Sequence, residues 1–306
     1  MIDFVLLVTG VLFAAAGGEL FVRGAVGLAR ALRVPAGVIG ATVAAFATSS
    51  PELMVSTLAA VEGRPQIGLG DALGSNIVNI ALVLGTTLCI SAIAVSRDSV
   101  KRDLPVAVAA PVVTGFLLHD GMLSRADGTL LIAGFVMWAT VTIRAAIDRR
   151  HEMSAVDALV WRASVLQSIA GLAALLIAGR LIVDGASAIA LRFGVDPYII
   201  GATIVAAGTS APELATAVVA KLRGYDDLSV GTILGSNIFN GLAIVGLAAV
   251  ITPIVVDFNI VAVTLAIGLV ALAVILPGPS AVLDRRRGAV LVLFYFLHVG
   301  LTYALA

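Results

Sequence analysis

The chain has 306 residues, 60% of them hydrophobic and 12% charged, with a formal net charge of zero and a mean hydropathy of +1.10. Soluble domains carry roughly 25% charged residues, so the composition excludes an ordinary soluble protein and points to an all-α chain that crosses a membrane several times. The balanced charge argues against a nucleic-acid partner, and the single Cys89, in an apolar run, cannot form an internal disulfide and reads as a packing residue.

The first apolar run, MIDFVLLVTGVLFAAAG, ends in small residues like a cleavable leader. It lacks a basic start, carries Asp3 and stays apolar towards Leu32, so it reads as a first membrane helix. With it the chain has ten apolar runs in order, near 3–30, 35–60, 67–95, 104–119, 126–147, 164–190, 197–221, 228–252, 258–276 and 288–305. The polar stretch 148–161, DRRHEMSAVDALVW, joins two halves of a single membrane domain, repeat one at 1–147 and repeat two at 162–306. Loops after odd-numbered spans hold fourteen lysines and arginines, including the run Arg285, Arg286 and Arg287, whereas loops after even-numbered spans hold three. The positive-inside rule then puts the linker in the cytoplasm and both termini outside a plasma membrane. Five spans per half turn the second half over, which predicts ten transmembrane helices as two inverted-topology five-helix repeats. In transporters that arrangement sets the binding site near the midplane, at the repeat interface.

The repeat is visible in the letters. Residues 40–53 read GATVAAFATSSPEL and residues 201–214 read GATIVAAGTSAPEL, with nine of fourteen positions identical. ALGSNIVN at 72–79 and ILGSNIFN at 233–240 match at six of eight, with the same offset of 161. Glu52 thus corresponds to Glu213, Ser75 to Ser236 and Asn79 to Asn240. Counted back from the turns near Arg64 and Gly224, each of these glutamates and serines lies roughly 17 Å deep, at ~1.5 Å per helical residue. That is about half of a ~30 Å hydrocarbon core.

A carboxylate at that depth costs at least ~2.5 kcal/mol, and no Lys or Arg stands nearby in the four spans concerned. Arg23 and Arg180 lie on spans 1 and 6, and Arg180 with Asp184, four residues on, reads as a structural pair. A mobile cation is therefore the natural partner of the glutamates. Pro51 and Pro212 interrupt their helices and free carbonyl oxygens around Ala47, Thr48, Gly208 and Thr209. Thr48, Ser49, Thr209 and Ser210 add hydroxyls, and Asn79 and Asn240 add amides, while Asn76 and Asn237 read as interhelical hydrogen-bonding groups. Oxygen ligands without His or Cys suit calcium or sodium rather than zinc or copper. A charge of about −2 is balanced by one Ca2+, two Na+ or two protons, and ions competing for one site give antiport. Gly40, Gly74, Gly201 and Gly235 would permit close helix approach around it. Asp71, with Thr232 as its counterpart, reads as a helix cap or dipole contact before an ion-access carboxylate. Ser49 and Ser210 have no basic partner on their segments, which excludes a hydrolase; the chain is read as a transporter, not an enzyme.

These doubled segments resemble the two alpha-repeats of the sodium/calcium exchanger, or cation/calcium antiporter, superfamily, above all its compact prokaryotic members. The resemblance covers both repeats and nearly the whole chain. It implies spans 1 and 6 sliding as a pair against the bundle and Na+-driven Ca2+ transport without a cofactor. It implies calcium between Thr48, Glu52, Thr209 and Glu213. Sodium would use Ala45, Thr48, Ser49, Glu52 and Ser75 on one side and Ala206, Thr209, Ser210, Glu213 and Ser236 on the other, with Asn79 and Asn240 closing the polar centre. Three positions depart from the family pattern: Ala47 replaces the usual Gly, Asn240 stands where potassium-dependent relatives carry Asp, and Asp71 stands where Asn is common. A H+/Ca2+ or other divalent exchanger using the same glutamates is the alternative. The expected partners are the transported cations and the lipid bilayer, with oligomeric state left open and a monomer compatible.

Overall fold

The computed structural model describes residues 2–148, 158–193, 206–278 and 281–305; Gly201 and most of the predicted linker lie outside them. The chain is helical. In order the helices are α1 (Ile2–Leu32), α2 (Ala36–Thr48), α3 (Ser50–Val61), α4 (Pro65–Ile90), α5 (Leu104–Leu117), α6 (Arg125–Asp148), α7 (Ala158–Arg192), α8 (Ala206–Thr209), α9 (Ala211–Leu222), α10 (Asp226–Ile251), α11 (Phe258–Val274) and α12 (Arg285–Leu305). Among the described residues five of these are long and apolar enough to cross a membrane, or six with the bent pair α2–α3 counted as one span. The shorter pieces α5 and α11 fall inside two further predicted runs, and α9 overlaps a third, passing its predicted end by one residue.

Local chemistry sets the boundaries. Prolines stand in the first turns of α3, α4, α5 and α9, where the missing N–H costs no helical bond. Gly63 and Gly224, with φ of +75° and +77°, make the tight α3–α4 and α9–α10 turns that a side chain would strain. Asp257 caps α11 by accepting from the Asn259 N–H.

Burial is inverted relative to a water-soluble protein. Met54, Met137, Ile260 and Phe296 are exposed, while Glu52, Asn79, Glu213 and Asn240 are fully buried. An apolar rim around a polar centre is the pattern expected when the surrounding solvent is hydrocarbon. α4 and α10 are the innermost helices, and α1, α6 and α7 lie outside them. Cys89 is exposed rather than packed, because α4 ends at the edge of the bundle.

α1 and α7 run antiparallel, and small residues bring their backbones together. A Cβ on Gly17 would fall 2.9 Å from the Ala174 Cβ, one on Gly24 2.5 Å from the Ser168 nitrogen, and one on Gly171 2.4 Å from the Phe21 nitrogen. α2 meets α10 as closely, with Gly40 against Leu228 and Gly235 against Ala41. At Gly74 nothing described lies within 4 Å, so that glycine gives no close approach among the described residues. Two short antiparallel ladders tie distant loops together: β1 (Ile93–Ala94) pairs with β4 (Val282–Leu283), and β2 (Met122–Leu123) with β3 (Ile254–Val255).

Candidate functional site

The site begins with two helix interruptions. Ser49 (φ −85°, ψ 15°) separates α2 from α3, and the two helices meet at 48°. Ser210 (φ −85°, ψ 8°) separates α8 from α9 with the same backbone. In each case the proline two residues on has no N–H to continue the helix. The freed carbonyl of Ala47 is not left open, because the Ser50 hydroxyl donates to it at 2.8 Å. The second copy has Ala211 in place of Ser50, and there the Gly208 carbonyl lies against Gly179 of α7.

The first turns of α3 and α9 carry Glu52 and Glu213, both without solvent exposure. Their serine partners come from the opposite copy. Ser49 donates to Glu213 Oε1 at 2.7 Å, and Ser210 donates to Glu52 Oε1 at 3.4 Å. Ser236 of α10 adds a second bond to Glu213 Oε1, at 3.3 Å. The second oxygens, Glu52 Oε2 and Glu213 Oε2, are buried and receive no hydrogen bond. A buried carboxylate oxygen without a donor is costly to keep, and the two carboxylates lie within electrostatic reach of each other, an arrangement that favours positive charge beside them.

α4 and α10 complete the surroundings. Both change to π-helical turns, Val78–Leu84 and Phe239–Ile244, at Asn79 and Asn240. Such wide turns recur at functional sites because they shift the side-chain register. Both atoms of each amide, and the Ser75 hydroxyl, are buried without partners. Ser75 and Asn79 are four apart and share a helix face. One turn away, Asn76 and Asn237 bond to each other's backbone carbonyls, both at 3.2 Å, and clamp α4 to α10. The pairing uses only their Nδ2 groups, and the Oδ1 atoms of both stay buried without a partner.

Among the other predicted residues, Thr48 is buried and its hydroxyl donates to the Ala44 carbonyl at 3.0 Å. The Ala45 carbonyl accepts the Ser49 N–H at 3.0 Å. Thr209 ends α8 and Ala206 begins it. Arg180 and Asp184 form the expected pair at 3.0 Å, on the exposed side of α7. Motif reading passed over the π-helical turns and the Ser50 hydroxyl; the serine at 50 opposite alanine at 211 was the available signal for the second. Asp71 lies inside α4, whose cap position is Arg64, so the expected N-terminal cap or dipole contact is not made; its Oδ2 is buried and unbonded and within electrostatic reach of Glu213.

The family model for the sodium/calcium exchanger protein matches residues 2–144 and 163–304. Across its whole length the chain is 35% identical to the putative antiporter CaxA of Alkalimonas amylolytica, covering 99% of that protein. It is 37% identical to the inner membrane protein YrbG of Escherichia coli over 82% of the chain and 81% of that protein. It is 27% identical to the sodium/calcium exchanger MaX1 of Methanosarcina acetivorans over 96% of both. A solved structure of the sodium-calcium exchanger NCX_Mj superimposes with a TM-score of 0.85 at 29% identity, covering 98% of each chain. A polytopic helical membrane protein with a buried, doubled carboxylate site and these relatives is a cation/calcium antiporter, and the chain belongs to the sodium/calcium exchanger family.

Proposed function

We propose that the chain exchanges Na+ for Ca2+ across the cell membrane by alternating access, with Glu52 and Glu213 as the shared cation ligands. The observation that carries this reading is the pair of unbonded oxygens, Glu52 Oε2 and Glu213 Oε2, on two carboxylates that each take a hydrogen bond from the other copy's serine. Calcium sits between these carboxylates with the Thr48 and Thr209 carbonyls. Sodium uses the two sets around Ser49 and Ser75 and around Ser210 and Ser236, including Ala45 and Ala206, and Asn79 and Asn240 close the middle. An unneutralised pair of buried charges disfavours movement of the empty site across the membrane, which couples the two fluxes.

The architecture proposed for this cycle is ten spans in two inverted repeats, 1–147 and 162–306, joined by 148–161 in the cytoplasm. It is supported by the constant offset of 161 and by the antiparallel approach of α1 and α7, the first long helix of each half. The MaX1 name, sodium/calcium exchanger, supports the choice of ions.

The test is uptake of radiolabelled Ca2+ into proteoliposomes loaded with Na+, K+ or acid. Uptake that requires internal Na+ is expected. Uptake driven by protons without sodium refutes sodium coupling and favours the second reading, a H+/Ca2+ exchanger. One observation favours that reading: Asp71 places a third carboxylate near the pair.

A further inference from the structure

A cavity of about 410 Å3 lies between α1, α7 and the turn from α9 to α10, away from the carboxylate pair. Arg23, Arg30 and Arg223 line it with a single acid, Glu19, and with Gln167 and Tyr225. Glu19 is shared: Arg23 Nε reaches it at 2.5 Å and Arg223 at 2.6 and 2.9 Å. Arg30 has no hydrogen-bond or ion-pair partner among the described residues. Three guanidinium groups against one carboxylate leave a formal excess of two positive charges in a bounded space.

Arg30 follows Arg23 by seven residues, two turns or roughly 10 Å along one face of α1. A guanidinium fork matches phosphate oxygens in pairs, so an anion bearing phosphate satisfies Arg30 and can compete with Glu19 for the other two. Apolar surface adjoins the cavity. Val22 and Val26 line it from α1, and Leu20, 37% exposed, lies on the neighbouring face of that helix. A soluble anion has no use for that strip, whereas an acyl chain does. The cavity also opens among the last turns of α1, the first turns of α7 and the α9–α10 turn, an end rich in Lys and Arg. Basic pockets between membrane helices on the cytoplasmic side suit anionic headgroups; the leaflet follows from the orientation proposed above, while the binding itself does not depend on it.

We propose that this cavity binds the phosphate-bearing headgroup of an acidic phospholipid, with Arg30 as first contact and Arg23 and Arg223 exchanging Glu19 for phosphate oxygens. The Glu19–Arg223 pair ties α1 to the α9–α10 turn, so a headgroup that takes Arg223 loosens that tie and changes how α1 is held against the bundle.

The experiment is native mass spectrometry of the delipidated full chain with phosphatidylglycerol or phosphatidylcholine, a readout independent of ion transport. Wild type should retain phosphatidylglycerol preferentially. Arg30→Gln should lower retention about fivefold, and Arg23→Gln, which leaves Glu19 with Arg223, should lower it similarly. Arg286→Gln, a cationic site outside the cavity, should leave it unchanged. Equal retention of the two lipids, full retention by Arg30→Gln, or an equal loss in Arg286→Gln overturns the proposal. Displacement of phosphatidylglycerol by excess inorganic phosphate overturns the lipid source and makes a soluble phosphate the ligand. Because the Arg30 side chain makes no bond among the described residues, an unchanged unfolding midpoint in Arg30→Gln is expected alongside.

Discussion

Glu213 is held by two hydroxyls, from Ser49 and Ser236, where Glu52 has only Ser210 at a longer distance. Hydrogen bonds to a charged group contribute roughly 1.5–3 kcal/mol each, so the Glu213 carboxylate is fixed in place more firmly. Either Glu→Gln change removes a charge from the proposed cation site, an effect of about 3 kcal/mol or roughly a hundredfold in apparent Ca2+ affinity. Glu213→Gln should cost more than Glu52→Gln in proteoliposome uptake, and the reverse order would argue against the asymmetry. Asp71→Asn separates the coupling readings. Under sodium coupling it changes Ca2+ uptake by no more than a fewfold, as expected for one charge outside the ligand set; loss of uptake driven by an acid interior would instead make Asp71 a proton carrier.

Between elements, the glycines decide how near the helices come. A Cβ at Gly171 would sit 2.4 Å from the Phe21 nitrogen, and backbone cannot yield as a side-chain tip can. Gly171→Ala should therefore destabilise by about 1–3 kcal/mol, read as a lower thermal unfolding midpoint in detergent, while Gly70→Ala, with nothing described within 4 Å, should not. Element positions were readable from the letters: the run predicted at 126–147 is α6 at Arg125–Asp148, and the one at 228–252 is α10 at Asp226–Ile251. Glu52, Glu213 and the serines were legible too, because a buried acid in an apolar run has few explanations. The π-helical turns at Asn79 and Asn240 were not, since they arise from how α4 and α10 pack and leave no compositional mark. The crossed pairing of Ser49 with Glu213 was equally hidden, because adjacency in the motif groups Ser49 with Glu52.

For the whole molecule, the ladders β1–β4 and β2–β3 and the Asn76–Asn237 clamp bind the central helices into a frame, while α1 and α7 lean on each other outside it. If that pair moves during exchange, cross-links should act differently by place. With Cys89 replaced by Ser, Ile93→Cys/Leu283→Cys joins facing ladder residues within disulfide reach and should leave Ca2+ uptake intact on oxidation. A reducible thiol-to-thiol linker joining Glu19→Cys to Arg223→Cys, whose long native side chains bridge the two elements, should stop uptake until a reductant is added. Inhibition by the ladder cross-link instead would locate the motion within the frame.

The crossed serines also bear on heredity. Since Ser49 serves Glu213 and Ser210 serves Glu52, each half of the gene encodes a hydroxyl that supports the other half's carboxylate. Neither 1–147 nor 162–306 should restore calcium tolerance to a sensitive host when expressed alone, whereas the two together should complement. A substitution at Ser49 therefore removes support from a carboxylate encoded 164 residues further on, so a lesion in one copy is felt in the other and the two halves work only as a pair.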